Sequence, residues 1–404
     1  MRARTVAVLL ATLCLAAPAG CRSARAPTNQ PRALPTLAAP TYSLGETRTG
    51  MLPVPVGMRA HSVQFGDADH GYALEWSVKP VETVTIDANT YSERYRALLF
   101  ATADGGRTWT PRPLPAPVLD GPSLAVLGPQ RIVISSEDWN VSTDGGRSYR
   151  RYPADGQVPL ELQAAPHDVL WASGDCTPGP CFELIEHTPN GERRHKWTSP
   201  ALPAPPEAAS YGPDGRWWAF ARDGGRLHAA VSADRGATWQ AREVPAHPAL
   251  ASVPEQLGAQ LSADGEDLWL LGLGGEPATG GLGRAAPTTR LKPTDSPVYW
   301  LLHSGQGDQW IPQPGQGRQA SGTRLGDTWA AVGGRMMIVA GVDGLGLLDD
   351  RWTPVTLPTR VDLVYQLADG TVVAGVRGEP VPAYFGRRSG RNVTWTPFAL
   401  TLAR

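Results

Sequence analysis

The stretch Thr102–Trp109, "TADGGRTW", decides the fold. A strand-forming threonine, an acid, two glycines and a Thr-Trp pair describe a tight turn that leaves one strand and enters the next. The same phrase returns as "STDGGRSY" at Ser142–Tyr149 and "SADRGATW" at Ser232–Trp239. Aligned on the aromatic that closes each turn, the chain repeats at Trp109, Tyr149, Trp197, Trp239, Trp310, Trp352 and Trp395. The spacings are 40, 48, 42, 71, 42 and 43 residues. The long interval holds a Gly/Pro-rich insertion, Leu273–Pro297, between the strand-like runs "DLWLLG" and "VYWLLH". Such a period is that of a propeller blade.

Composition agrees. The 404 residues include 45 Gly and 39 Pro, enough to punctuate the chain with turns, and 41% are apolar, enough for a substantial core. No long stretch sustains a 3.6-residue apolar period. Each unit reads as four short strands, as in "HSVQF", "GYALEW", "RALLFAT" and "TWTPRPL" for the first. The expectation is an all-β chain: a seven-bladed β-propeller of four-stranded antiparallel blades, with 41–404 as one domain.

The three turns resemble the Asp-box, or BNR repeat, whose pattern is Ser/Thr-x-Asp-x-Gly-x-Thr/Ser-Trp. Its residues here are Thr102, Asp104, Gly106, Thr108 and Trp109; Ser142, Asp144, Gly146, Ser148 and Tyr149; and Ser232, Asp234, Gly236, Thr238 and Trp239. "HGYAL" followed by "LLFATADGGRTW" is similar to the photosystem-assembly-factor-like branch of these propellers. Elsewhere the motif is degenerate, as in "HSGQGDQW" and "RSGRNVTW". The expected roles are structural. Each Asp accepts its own turn's amides, each Gly supplies a backbone angle that a side chain would penalise, and each ring packs beneath the turn.

The N-terminus reads "MRARTVAVLLATLCLAAPAGCRS", a basic start and an apolar run too short to span a bilayer, which is an export signal over 1–20. Ala19-Gly20-Cys21 resembles a bacterial lipobox that lipidates Cys21, although Pro18 replaces the usual aliphatic residue; an ordinary signal peptide cut nearby is the alternative. Residues 21–40 read as a flexible tether. Cys176 and Cys181 bracket "TPGP" and suit a small disulfide in an oxidising compartment, or else a pair of thiols. The net charge of −1 offers no basic excess for nucleic acid.

Signatures of chemistry are sparse. The resemblance raises a sialidase-type exo-glycosidase as one reading, but Arg-Ile-Pro, expected of sialidases, is absent; "QRIVIS" has only Arg131-Ile132. The eight histidines show no metal-ligand spacing, so no metal and no cofactor is expected. In a four-stranded meander the Asp-box turns share one face. The long insertions, Lys79–Arg94, the Cys176–Cys181 loop and Leu273–Pro297, share the other. That face offers Tyr91, Arg94, Arg284, Arg290 and Lys292 as candidate contact residues. The expectation is a monomeric, non-enzymatic binding or scaffolding protein of the cell envelope. Its partner is an envelope protein or glycan, and its membrane contact is the lipid anchor alone. An assembly factor for a membrane complex is a further alternative.

Overall fold

Short β-branched and aromatic runs separated by Gly, Pro and Asp leave the backbone few options besides strands and tight turns. The computed structural model describes residues 36–403 apart from 86–90, 154–168, 197–201, 247–255, 274–297, 314–327 and several shorter turns, with backbone alone over 169–196. Every regular element among the described residues is a strand.

These strands form seven sheets, each built mainly from antiparallel neighbours. Blade 1 runs Met58–Phe65, Gly71–Ser77, Tyr91–Thr102 and Thr110–Arg112 from the inside outwards. Blade 2 runs Ser123–Val126, Ile132–Ser135, Asp138–Ser142 and Arg150–Pro153. Blade 3 contributes three described strands between Val169 and Lys196. Blades 4, 5 and 6 begin at Ala208, Gln256 and Thr328, and blade 7 at Leu363. First strands of successive blades touch, as Gln256–Leu261 does with Ala208–Tyr211 and with Thr328–Ala331. The chain is a seven-bladed β-propeller.

Between first and second strands the turns "PDG" (213–215), "ADG" (263–265 and 368–370) and "VGG" (332–334) place Gly215, Gly265, Gly370 and Gly333 at positive φ. Glutamines tie neighbouring blades at the centre. Gln64 Nε2 donates to Leu124 O (2.8 Å), while its Oε1 accepts from Val126 N (3.1 Å). Gln260 Oε1 accepts in the same way from Ala331 N (3.3 Å). A side-chain amide carries one donor and one acceptor group, so it can satisfy an inner-strand edge that has no strand beside it.

Ring closure uses the N-terminal end of the domain. Thr41–Leu44 and Arg48–Pro53 pair in parallel with Asn392–Ala403, the outermost strand of blade 7. The chain then crosses into blade 1, where Val63 N donates to Pro380 O (2.7 Å). Three of the six phenylalanines meet at this seam edge-to-face: Phe65 lies 4.8 Å from Phe385 and 5.7 Å from Phe398, and the last two are 5.4 Å apart. Leu52 is fully buried beside them. Residues Leu37–Arg404 form one compact unit.

The repeating aromatic serves two local structures. In blades 6 and 7 the Asp-box gives way to short hairpins, and Trp352 and Trp395 lie within the fourth strand. Each covers a glycine of the third strand, because a Cβ on Gly346 or Gly386 would stand 2.2 or 2.8 Å from the indole. The blade period survives without the motif.

Candidate functional site

The Asp-box turns form one network three times. In blade 1, Thr102 Oγ1 donates to Asp104 Oδ1 (2.7 Å) and accepts from Gly106 N (2.9 Å). Asp104 then accepts from Thr108 N (2.9 Å) and Thr108 Oγ1 (2.6 Å), and Trp109 Nε1 donates to Gly106 O (2.9 Å). Ser142, Asp144, Gly146 and Ser148 repeat the scheme, as do Ser232, Asp234, Gly236 and Thr238. Desolvation pushes the Asp104 carboxyl up, but the bonds from Thr108, Thr102 and Arg107 outweigh it and hold it at about 2. The equivalent bonds hold Asp234 at about 2 and push Asp144 further down still.

These carboxylates are ionised at neutral pH and accept several bonds from their own turns. None is poised for proton transfer at neutral pH. The sequence reading assigned the amide-accepting role to Asp alone; the structure divides it, with the leading Ser or Thr hydroxyl receiving the glycine N–H. Trp109 is buried against Phe65, whereas Tyr149 and Trp239 are half-buried.

On the opposite face the insertion of blade 1 is more regular than expected. Lys79–Arg94 reads in sequence as a loop, yet Glu82–Thr85 pairs with Tyr91–Arg94 as a β-hairpin, and Val118–Asp120 flanks the same strand on its other side. The 12-residue strand Tyr91–Thr102 belongs to the blade in its second half and to this three-stranded extension in its first. Alternating "ETVT" and "YSERY" make this possible, since the period of two simply continues past the blade.

Backbone hydrogen bonds from Val78 N to Gly57 O (2.9 Å) and from Val81 N to Arg94 O (2.8 Å) bring separate segments together here. Four large apolar side chains are left in solvent: Val56 at 93% exposure, Val78 at 54%, Val81 at 55% and Tyr91 at 65%. Beside them the Arg59 guanidinium lies over the Trp76 ring, 5.6 Å from its centroid, and Trp76 packs at 5.1 Å on Tyr95. Arginine and large aromatics clustered with exposed aliphatics have the composition of a recognition surface.

Of the residues expected at this face, Tyr91 and Arg94 are three positions apart on one strand, so they point to opposite sides of it. Tyr91 shares its side with Tyr95, while Arg94 pairs with Glu82 (3.5 Å). Arg284, Arg290 and Lys292 lie outside the described residues, as does Cys21. The ladder sets Cys176 opposite Gly179 and Cys181 opposite Gly174; both cysteine side chains lie outside the described set. Sequence reading missed Val56, Arg59, Trp76, Val78, Val81 and Tyr95. Their common signal was proximity to the Lys79–Arg94 insertion, but only the pairing brings Val56 and Arg59 to it.

Among the described residues no group of His, Cys, Asp or Glu is arranged to hold a metal ion, and no helix is long and apolar enough to cross a membrane.

No family model matches the chain, and no curated protein does. Solved structures similar to it include YCF48 bound to a D1 peptide, at 17% identity over 84% of this chain and 96% of that one, with a TM-score of 0.39. YCF48 from Cyanidioschyzon merolae is similar at 13% identity over 80% and 94%, with a TM-score of 0.37. The uncharacterized protein lmo1340 from Listeria monocytogenes is similar at 9% identity over 88% and 98%, with a TM-score of 0.41. The fold itself rests on the strand pairing described above.

Proposed function

We propose that this protein is an exported, lipid-anchored propeller that binds a protein of the cell envelope through the hairpin face of blade 1, without catalysing a reaction. The observation that carries this reading is the exposed cluster of Val56, Val78, Val81 and Tyr91 beside Arg59, Trp76 and Tyr95. Monomeric surfaces seldom leave several large aliphatic and aromatic groups together in water, because covering them is favourable by about 25 cal/mol per Å². The export run and Cys21 would place this surface outside the cytoplasm on a flexible tether.

A photo-crosslinking amino acid at Tyr91, compared with one at Arg107 on the Asp-box face, tests the assignment in intact cells. The expected outcome is a discrete adduct from position 91 that Val78→Asp abolishes. Adducts of equal yield from both positions would refute the surface. Fluorogenic sialoside hydrolysis by the purified protein would refute the non-enzymatic reading.

A further inference from the structure

On the Asp-box face, a cleft of about 140 Å³ opens between blades 1 and 2. Blade 1 contributes His70 from the turn before its second strand, Tyr72 from the start of that strand and Arg112 from its outermost strand. Blade 2 contributes Gln130, Gly145 and Arg147 from its two turns. Among the described residues no Asp or Glu lines the cleft.

The nearby acids are engaged elsewhere. Asp67 receives His70 Nδ1 (2.9 Å) and the His70 amide (2.6 Å). Both Asp144 oxygens are taken by Ser142, Arg147 N and Ser148. Among the described residues Arg112 has no carboxylate partner. Its Nε is buried without an acceptor, and its Nη1 reaches only Pro111 O at 3.5 Å. Arg147 Nη1 donates to Asp144 O (2.8 Å), again to a neutral group.

Other arginines of this propeller behave differently. Arg216 and Arg242 share Asp308, Arg388 pairs with Asp264, and Arg391 with Asp349. Burial raises the Tyr72 hydroxyl pKa, Arg112 and Arg147 oppose that rise, and Asp67 and Asp144 add to it, so both guanidinium groups act on this wall together with two carboxylates that are already bonded elsewhere. Two guanidinium groups on one cleft repel each other where the nearby carboxylates are taken by other donors, and a buried N–H without an acceptor is costly.

The neighbouring seam shows the alternative. Gly105 of blade 1 stands where Gly145 stands in blade 2, since Gly105 N donates to Asp69 O and Gly145 N to Gln130 O, both at 2.8 Å. Over Gly105 the groove is filled by Arg48, whose Nη1 donates to Ala68 O (2.8 Å) and Gly105 O (3.3 Å). Arg48 shares with Arg112 a buried Nε without a partner, but its outer nitrogen is satisfied by two carbonyls. Over Gly145 the neighbours are neutral, because a Cβ there would stand 2.7 Å from Gln130 Oε1 and 3.2 Å from the Tyr72 hydroxyl, and no guanidinium takes the place of Arg48.

We propose that the cleft between blades 1 and 2 is a binding site for a small oxyanion, a carboxylate or a phosphate group, held between Arg112 and Arg147. Tyr72 spends its proton on Pro129 O (2.7 Å) and forms the wall, leaving the guanidinium groups as the donors. Planar forked N–H donors match an oxyanion in a way that a lone cation does not. The site lies on the opposite face from the hairpin of blade 1 and does not depend on that surface.

The test is calorimetric titration of the purified mature protein with inorganic phosphate and, separately, acetate at constant ionic strength. Arg112→Gln and Arg147→Gln are compared with Arg151→Gln, which removes an exposed charge paired with Asp138. The expected result is saturable binding in the millimolar range or tighter, weakened about tenfold or more by either cleft substitution and unchanged by Arg151→Gln. Binding of phosphate alone assigns a phosphate ligand, binding of acetate alone a carboxylate, and binding of both supports a site for either oxyanion. Absence of saturable binding by both anions, or equal weakening by Arg151→Gln, overturns the site. Should Arg112→Gln fail to fold, Arg147 at the exposed rim carries the comparison.

Discussion

Glu75 offers a quantitative test of how the blades pack. It lies in the second strand of blade 1, opposite Ala60 and Leu98, and its side chain is 0% exposed. The period of two puts it on the same side as Ala73, which belongs to the apolar seam with Val63, Phe100, Val373 and Phe385. Both carboxyl oxygens are buried without a hydrogen-bond partner, and burial pushes the pKa from 4.5 up to about 7.

An acid with a raised native pKa is a liability above its unfolded value. Below about pH 4.5 both states hold the proton, and Glu75 adds no pH dependence. Between about 4.5 and 7 the unfolded chain ionises while the native one does not, so stability falls by about 1.4 kcal/mol per pH unit. Above about 7 the loss levels off at about 3 kcal/mol.

Glu75→Gln keeps the shape and removes the charge. Urea unfolding of both proteins from pH 4 to 8 is the assay. The substitution should be nearly neutral at pH 4 and stabilising by up to about 3 kcal/mol at pH 8. A stability difference that stays constant across this range would refute the argument, because it would mean that the carboxyl is hydrated or compensated in the native state.

Three further outcomes follow from the same geometry. Asp104→Ala strips the first Asp-box of the acceptor for Thr102 and Thr108 and should cost about 1–2 kcal/mol in urea titration at pH 7. Because the folded Asp104 carboxyl sits at about 2, its contribution is present above the unfolded pKa of 3.8 and fades as pH falls toward 2; solvent screening keeps this acid effect small. Leu52→Ala should lower stability by about 2–5 kcal/mol by opening the closure seam, whereas Met51→Ala, one residue away and 59% exposed, should stay within about 0.5 kcal/mol. Trp109→Ala should cost about 3–5 kcal/mol by the same measurement, since its buried ring packs against Phe65 and its indole N–H holds Gly106 O.

The sequence by itself determined the blades. Turn residues and strand alternation are local properties, and they recur with a period that survives even where Trp352 and Trp395 have exchanged the Asp-box for a hairpin over glycine. The Asp-box network was equally legible, because its partners lie within eight residues of one another. Only the tertiary structure decided how the ring closes. A parallel pairing of Arg48–Pro53 with Phe398–Ala403 joins the two ends of the domain and has no signature in either segment alone. It also decided the surfaces. Val78 N bonds Gly57 O across two segments, and Arg112 and Arg147 line one cleft from different blades, where sequence spacing carries no information. Glu75 illustrates the divide most simply: "YALEW" names a strand whichever way its glutamate points, and the blade packed against it determines that the carboxyl is buried.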